Sequence, residues 1–93
     1  MNGVSTEKVA GGKLLRVKVE FGEKIDKVRI TGDFFAHPED VIEKIESSLA
    51  GLALSATEDE IRNKVENVIA KTSADIVGID AASIARNIIR AIQ

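Results

Sequence analysis

Two different hydrophobic periods divide the chain. Between residues 13 and 31 apolar and polar positions alternate, which predicts two strands that each have one buried and one solvated face. The turn between them is predicted at residues 22–24. The inward-facing positions of the two strands are Leu15, Val17, Val19, Phe21, Val28 and Ile30. A further short strand around residues 6–10 would complete a three-stranded antiparallel meander.

From His37 onward the period becomes helical. Pro38 is predicted at the first helical position, where its missing N–H costs nothing, and Gly51 is predicted to end the first helix. Thr57 and Asp80 are predicted to cap a second and a third helix. The apolar stripes of the helices are Val41, Ile42, Ile45 and Leu49, then Ile61, Val65, Val68 and Ile69, then Ile84, Ala85, Ile88, Ile89 and Ile92. The apolar segment 74–79 is predicted to be a buried connection.

Strands followed by helices predict an α+β fold, with a small antiparallel sheet of two to three strands and three helices packed on one face. Residues 1–93 are expected to form a single domain. A chain of this length buries one core and has little room for a deep pocket as well.

Composition excludes several kinds of site. The 13 basic and 15 acidic residues give a net charge of −2, so we expect no nucleic-acid partner. The absence of cysteine excludes disulfides, thiol nucleophiles and thiolate metal sites, and the single histidine, His37, excludes any site that needs two. No apolar run approaches the ~20 residues of a membrane span, so we expect no membrane contact. The missing disulfides suit a reducing cytosol, so we expect a cytoplasmic protein.

The turn before the second strand has two interpretations. Gly11, Gly12 and Lys13 form either a plain flexible turn or a mobile loop that presents Lys13 to an anionic ligand held by another protein. Lys8 and Arg16 lie nearby in the sequence and would extend a basic patch.

The three phenylalanines are the only aromatic residues, and two of them, Phe34 and Phe35, are adjacent. Neighbours on an extended segment point to opposite sides, so we expect one in the core and the other exposed or in contact with a partner. No catalytic or metal-binding residue is predicted. The candidate contacts to a partner or ligand are Gly11, Gly12, Lys13, Arg16, Asp33, Phe34, Phe35 and His37.

Three segments together carry a resemblance to a known family. They are residues 9–17 with the Gly-Gly-Lys turn, residues 30–35 with Gly-Asp-Phe-Phe, and the acidic helix that ends at residues 49–51. The chain, from about Lys8 to its end, resembles the C-terminal domain of lipoate–protein ligases. It more closely resembles the form that occurs as a separate small subunit of two-part archaeal-type ligases.

The resemblance implies a function that composition does not. Such ligases activate lipoate with ATP to lipoyl-adenylate and then transfer the lipoyl group to a lysine of an acceptor domain. The triple-glycine substrate-binding segment and the catalytic lysine of the large domain have no counterpart here, so the resemblance implies an accessory subunit that is inactive alone. It implies a heterodimer with the catalytic subunit, which would bind ATP, Mg and lipoate, and only indirect contact with lipoyl-acceptor domains. This chain would bind no cofactor itself. The alternative is a non-catalytic interaction or scaffold module with an unrelated partner.

Overall fold

The computed structural model describes residues 1–9, 11 and 13–93. In these residues three strands precede three helices as predicted, and two further short strands, at residues 35–37 and 75–77, were not predicted. The α+β class is confirmed. The elements are β1 (Asn2–Val9), β2 (Lys13–Phe21), β3 (Ile25–Gly32), β4 (Phe35–His37), α1 (Val41–Leu49), α2 (Glu58–Thr72), β5 (Asp75–Val77) and α3 (Ala81–Ala91).

The first three strands form the antiparallel meander that the alternating pattern predicts. β2 is central, with β1 paired from Asn2↔Glu20 to Val9↔Lys13 and β3 paired from Leu15↔Gly32 to Phe21↔Ile25. The predicted additional strand is therefore confirmed, and it begins four residues earlier than the pattern suggested. The N-terminal amino group reinforces it by donating to the Phe21 carbonyl oxygen at 2.6 Å.

One face of this sheet is buried and forms one side of the hydrophobic core. Leu15, Val17 and Val19 are fully buried there, while the alternate residues of β2 are exposed. α3 packs on β1 and β2, α1 packs on β3, and α2 packs on both helices. A fully buried aliphatic side chain contributes about 1.5–3 kcal/mol. The helical part of the core includes Ile45, Leu49, Ile61, Val65, Ile84 and Ile88.

The outer edge of β3 is covered within the chain. The backbone N–H of Ile30 donates to the Glu46 carboxylate of α1 at 2.7 Å. Further along this strand, Ile25 exchanges backbone hydrogen bonds with Gly51 and Leu52 at 2.7 and 2.9 Å. These hydrogen bonds satisfy backbone N–H and C=O groups of β3 that would otherwise be free to pair with another strand.

The helix starts agree with the sequence at two of three positions. Thr57 Oγ1 accepts from the Glu60 N–H at 3.2 Å, and Asp80 accepts from the Ser83 N–H at 2.7 Å in a capping box. The placement of Pro38 at the first helical position is wrong, because α1 begins at Val41. Residues 35–37 are held as a strand, so residues 38–40 are needed to turn the chain into the helix.

The description of segment 74–79 as a buried connection is only partly right. Residues 75–77 form β5, which pairs with β4 as a separate two-stranded ribbon. Alternation along the strand places Ile76 against the core and leaves Val77 62% exposed, while Ile79 is buried beyond the strand end.

Candidate partner-contact surface

The β4–β5 ribbon brings two large apolar side chains together at the surface. Phe35 pairs directly with Val77, and they are 65% and 62% exposed. Directly opposed residues on antiparallel strands present their side chains to the same face. We call this pair, Phe35 and Val77, the apolar corner. Phe34 is partly buried against the core, so the expectation that one phenylalanine enters the core and the other stays outside is confirmed.

His37 belongs to the same ribbon. It is the last residue of β4, exposed, and paired with Asp75. Because alternate residues of a strand share a face, His37 and Asp75 continue the face that begins with the apolar corner. His37 thus ends a strand and precedes the turn that leads into α1.

Two glycines allow close packing near the ribbon: Gly32 where the end of β3 meets β2, and Gly78 where the ribbon meets the start of β2. A Cβ at Gly32 (φ 149°) would overlap the Leu14 carbonyl oxygen of β2. A Cβ at Gly78 (φ 103°) would lie 3.2 Å from both Lys13 Cγ and the Asp33 carbonyl oxygen. The glycine of the Gly-Asp-Phe-Phe segment is therefore explained by backbone packing.

An open groove of about 350 Å³ lies where the ribbon meets β2. Asp33 is fixed at its wall by a backbone hydrogen bond from its N–H to the Leu14 carbonyl oxygen at 2.8 Å. The lining residues are Lys13, Gly32, Asp33, Phe34, Phe35 and Val77. Four of the predicted contact residues, Lys13, Asp33, Phe34 and Phe35, thus line one groove.

The remaining candidates are placed differently. Arg16 is exposed on the open face of the sheet, between Thr6 of β1 and Thr31 of β3. Gly11 is exposed in the turn between β1 and β2, and Gly12 lies outside the described residues. The role of all these residues as partner or ligand contacts stays a prediction.

Within residues 1–9, 11 and 13–93 no group of three metal-ligating side chains comes together. A second open groove, of about 480 Å³, lies between α2 and the β5–α3 segment, where Arg62, Glu66 and Asp80 contribute to its walls. It shares only β5 with the candidate surface. Across the same described residues, no helix combines the length and apolarity needed to cross a membrane.

A polar cluster between β1 and α3 escaped the sequence analysis. Asn87 is fully buried, accepts from the Ser5 hydroxyl at 2.6 Å, and donates to Glu7 and the Ser83 carbonyl oxygen at 2.8 Å each. Arg86 donates to both Glu7 carboxylate oxygens, at 3.0 and 2.8 Å. We call Ser5, Glu7, Ser83, Arg86 and Asn87 the Glu7 cluster. The sequence did contain an indication of this cluster. Asn87 follows Ile84 by three positions and adjoins Ile88, so it lies on the apolar stripe of α3.

The electrostatics of the Glu7 cluster are those of a satisfied ion pair. The hydrogen bonds from the Arg86 guanidinium hold the pKa of the Glu7 carboxyl below its ordinary value of 4.5, against the opposing effect of burial. The same contact raises the pKa of Arg86. Since its polar groups find partners inside the chain, the cluster fixes α3 to β1 and is not a candidate ligand site.

Comparisons with known proteins support the resemblance seen in the sequence. A stretch of 51 residues is 39% identical to lipoate-protein ligase A subunit 2 of Thermoplasma acidophilum. The chain is similar to the second subunit of a two-part lipoate–protein ligase. The aligned stretch covers 54% of this chain and 54% of that subunit, so the chain spans about half the length of the relative it matches. No protein-family model matches the chain.

The fold is shared over the full length with a solved structure. A chain from a structural analysis of an archaeal lipoylation system, a bi-partite lipoate protein ligase and its E2 lipoyl domain from Thermoplasma acidophilum, superposes with a TM-score of 0.66. The match covers 100% of this chain and 98% of that chain at 24% sequence identity. At this identity the match establishes the fold, and the activity follows as a proposal.

Proposed function

We propose that this protein is the accessory subunit of a two-part, ATP-dependent lipoate–protein ligase. The observation that carries the proposal is the 39% identity over 51 residues to the second subunit of such a ligase, supported by the shared fold. ATP, Mg and lipoate would be bound by the separate catalytic subunit, in the cytoplasm. Lipoyl-acceptor domains would be met only through that complex.

The chemistry of adenylation explains why a small non-catalytic subunit would be needed. The lipoate carboxylate attacks the α-phosphorus of ATP, forms lipoyl-adenylate and releases pyrophosphate. Two anions must be held together and water kept out, which favours closure of the active site by a second body. This compact domain would supply that closure by docking as a rigid unit, and it needs no reactive group of its own.

The apolar corner and the groove beside it are the contact region we assign to this role. Exposed apolar patches rimmed by polar groups mark interaction sites, and Lys13, Asp33 and His37 supply such a rim. Phe35 contributes little to the core because most of its side chain is in solvent. Its exposed ring is therefore available to a partner.

The first test is lipoyl-adenylate formation by the catalytic subunit of the same organism, with and without this chain. We expect the product only when both proteins are present, in a one-to-one complex that buries at least about 1,200 Å². A catalytic subunit that forms lipoyl-adenylate equally well alone would contradict the accessory role. That result would leave the non-catalytic interaction module with another partner.

A second test addresses the contact region. Phe35→Ser removes the larger apolar side chain of the corner, and Phe35→Leu retains an apolar one as the matched control. We expect Phe35→Ser to weaken the complex about tenfold or more and Phe35→Leu only slightly, since interface aromatic residues often dominate binding. Lys13→Ala tests the groove separately, and unchanged adenylation by that variant would remove Lys13 from the contact.

A further inference from the structure

The face of the β1–β2–β3 sheet that points away from the helices has an unusual charge. Register pairing places its exposed side chains in cross-strand rows, the central one being Val4, Lys18 and Arg29. Five of its side chains are basic and one, Glu20, is acidic. The residues of this basic face are Asn2, Val4, Thr6, Lys8, Leu14, Arg16, Lys18, Glu20, Lys27, Arg29 and Thr31.

The charge of the basic face opposes that of the rest of the protein. Of the 13 basic and 15 acidic residues in the chain, this face holds five and one, so eight basic and 14 acidic residues lie elsewhere. A chain with a net charge of −2 therefore presents one positive sheet face and an acidic remainder. Such a separation orients an approaching charged partner.

Of the five cations on this face, Lys27 lies opposite the acidic Glu20, and the other four have no acidic residue directly opposite them in the register. Across the described residues, the basic side chains found in salt bridges are Lys44, Arg62, Arg86 and Arg90, all of them on helices. On the sheet, Lys18 lies directly opposite Arg29, and like charges in that position destabilise an antiparallel pair. The charges of this pair are therefore available to an anionic surface outside the chain.

We propose that the basic face docks on a carboxylate-rich surface of the ligase catalytic subunit, with the apolar corner at the rim of the contact. This inference rests on the proposed function. A protein partner is favoured over nucleic acid because the face has no aromatic residue for base stacking and the remainder of the chain repels a polyanion.

The size of the contact supports the same assignment. A stable complex buries about 800 Å² on each partner, which takes about 20–30 residues a side. The groove, which includes the apolar corner, is lined by six residues, and the 11 residues of the basic face bring the total to 17, close to the lower end of that range. The two regions meet at the start of β2, where Lys13 borders the groove and Leu14 lies on the face.

The experiment measures the affinity between the full chain and the catalytic subunit at two salt concentrations. The double variant Arg16→Glu/Lys18→Glu reverses two charges on the face. The double variant Lys64→Glu/Lys71→Glu makes the same change in net charge on exposed positions of α2, which packs on the other helices. At about 50 mM salt we expect the face variant to bind at least about tenfold more weakly than wild type and the α2 variant within about twofold. At about 400 mM salt the difference should shrink, because exposed charges are then screened.

The possible outcomes distinguish the docking surface proposed here from the accessory role proposed above. Equal affinity of the face variant and wild type would overturn the basic face as the docking surface while leaving the accessory role intact. A wild-type chain that neither binds the catalytic subunit nor stimulates adenylation would overturn both. Binding of the wild-type chain to a DNA duplex of about 20 base pairs, more tightly than to the catalytic subunit, would assign the face to nucleic acid and overturn the proposal. Circular dichroism of both variants checks that they are folded.

Discussion

The two faces of the main sheet differ in how their charged side chains are paired. On the inner face Glu7 is surrounded by Arg86, Arg90 and Asn87 of α3, all within 3.5 Å of its carboxylate. On the outer face Lys18 and Arg29 lie side by side, and neither takes part in a salt bridge among the described residues.

This contrast separates charges that hold the fold from charges available to a partner. A buried polar group costs free energy unless its hydrogen bonds are satisfied, and the Glu7 cluster meets that requirement inside the chain. Exposed cations are hydrated and cost little individually, so they can accumulate on one face without unfolding the protein. Mutations on the two faces should therefore separate stability from binding.

The largest expected effect is on the inner face. Asn87→Leu leaves the Ser5 hydroxyl and one contact to Glu7 without a partner in a buried site, and we expect the free energy of unfolding to fall by about 2–3 kcal/mol. Asn63→Leu, on the exposed side of α2, is the matched control and should change it by no more than about 0.5 kcal/mol. Urea unfolding measures both, and equal stabilities would show that the cluster does not hold α3 to β1.

A smaller loss is expected from Arg86→Met, which retains apolar packing and removes the two hydrogen bonds to Glu7. Because this guanidinium is partly exposed, we expect a loss of about 1–1.5 kcal/mol. Arg62→Met removes two exposed ion pairs on α2, with Asp59 and Glu66, and should cost at most about 0.5 kcal/mol. Thermal unfolding of the two variants measures both losses of stability. A greater loss from Arg62→Met than from Arg86→Met would contradict the prediction.

The inner face also predicts a dependence on pH. The folded pKa of Glu7 is lowered, so the unfolded chain binds more protons at this group and the folded state is favoured as pH rises. This contribution is complete above the ordinary value of 4.5 and is lost as pH falls through the lowered pKa. Glu7→Gln should therefore flatten the decline in stability on the acid side. An unchanged slope in urea titrations across that range would contradict the assignment.

The smallest effect has the opposite sign and lies on the outer face. Lys18→Glu replaces a like-charge neighbour of Arg29 by an opposite charge, and we expect the free energy of unfolding to rise by about 0.2–1 kcal/mol. Arg16→Glu, whose cross-strand neighbours are Thr6 and Thr31, should produce a smaller change. Both variants carry the same change in net charge. A larger gain from Arg16→Glu would show that overall charge, rather than the cross-strand pair, is responsible.

Much of the fold was predictable because its signals are local. Alternation assigned Leu15, Val17 and Val19 to the core, and the caps at Thr57 and Asp80 fixed the starts of α2 and α3. The start of α1 was misplaced because residues 35–37 form a strand only by pairing with a segment about 40 residues later.

The candidate surface was predictable only in part for the same reason. Alternation required one of Phe34 and Phe35 to be exposed without deciding which. Val77 was assigned to a buried connection, and its pairing with Phe35 was not visible in the sequence. Asn87 was passed over although it lies on the apolar stripe of α3, because a polar residue there is explained only by the partners that β1 brings to it.

By itself the sequence determined the strand meander, the helical stripes, the opposite orientations of Phe34 and Phe35, and the likeness to a ligase subunit. Each depends on the spacing or identity of neighbouring residues, which fixes the direction of a side chain relative to its own strand or helix. Only the tertiary structure decided that Phe35 meets Val77, that Glu7 meets α3, and that five cations from three strands share one face. Those contacts join segments far apart in the chain, and their register depends on how the whole core packs.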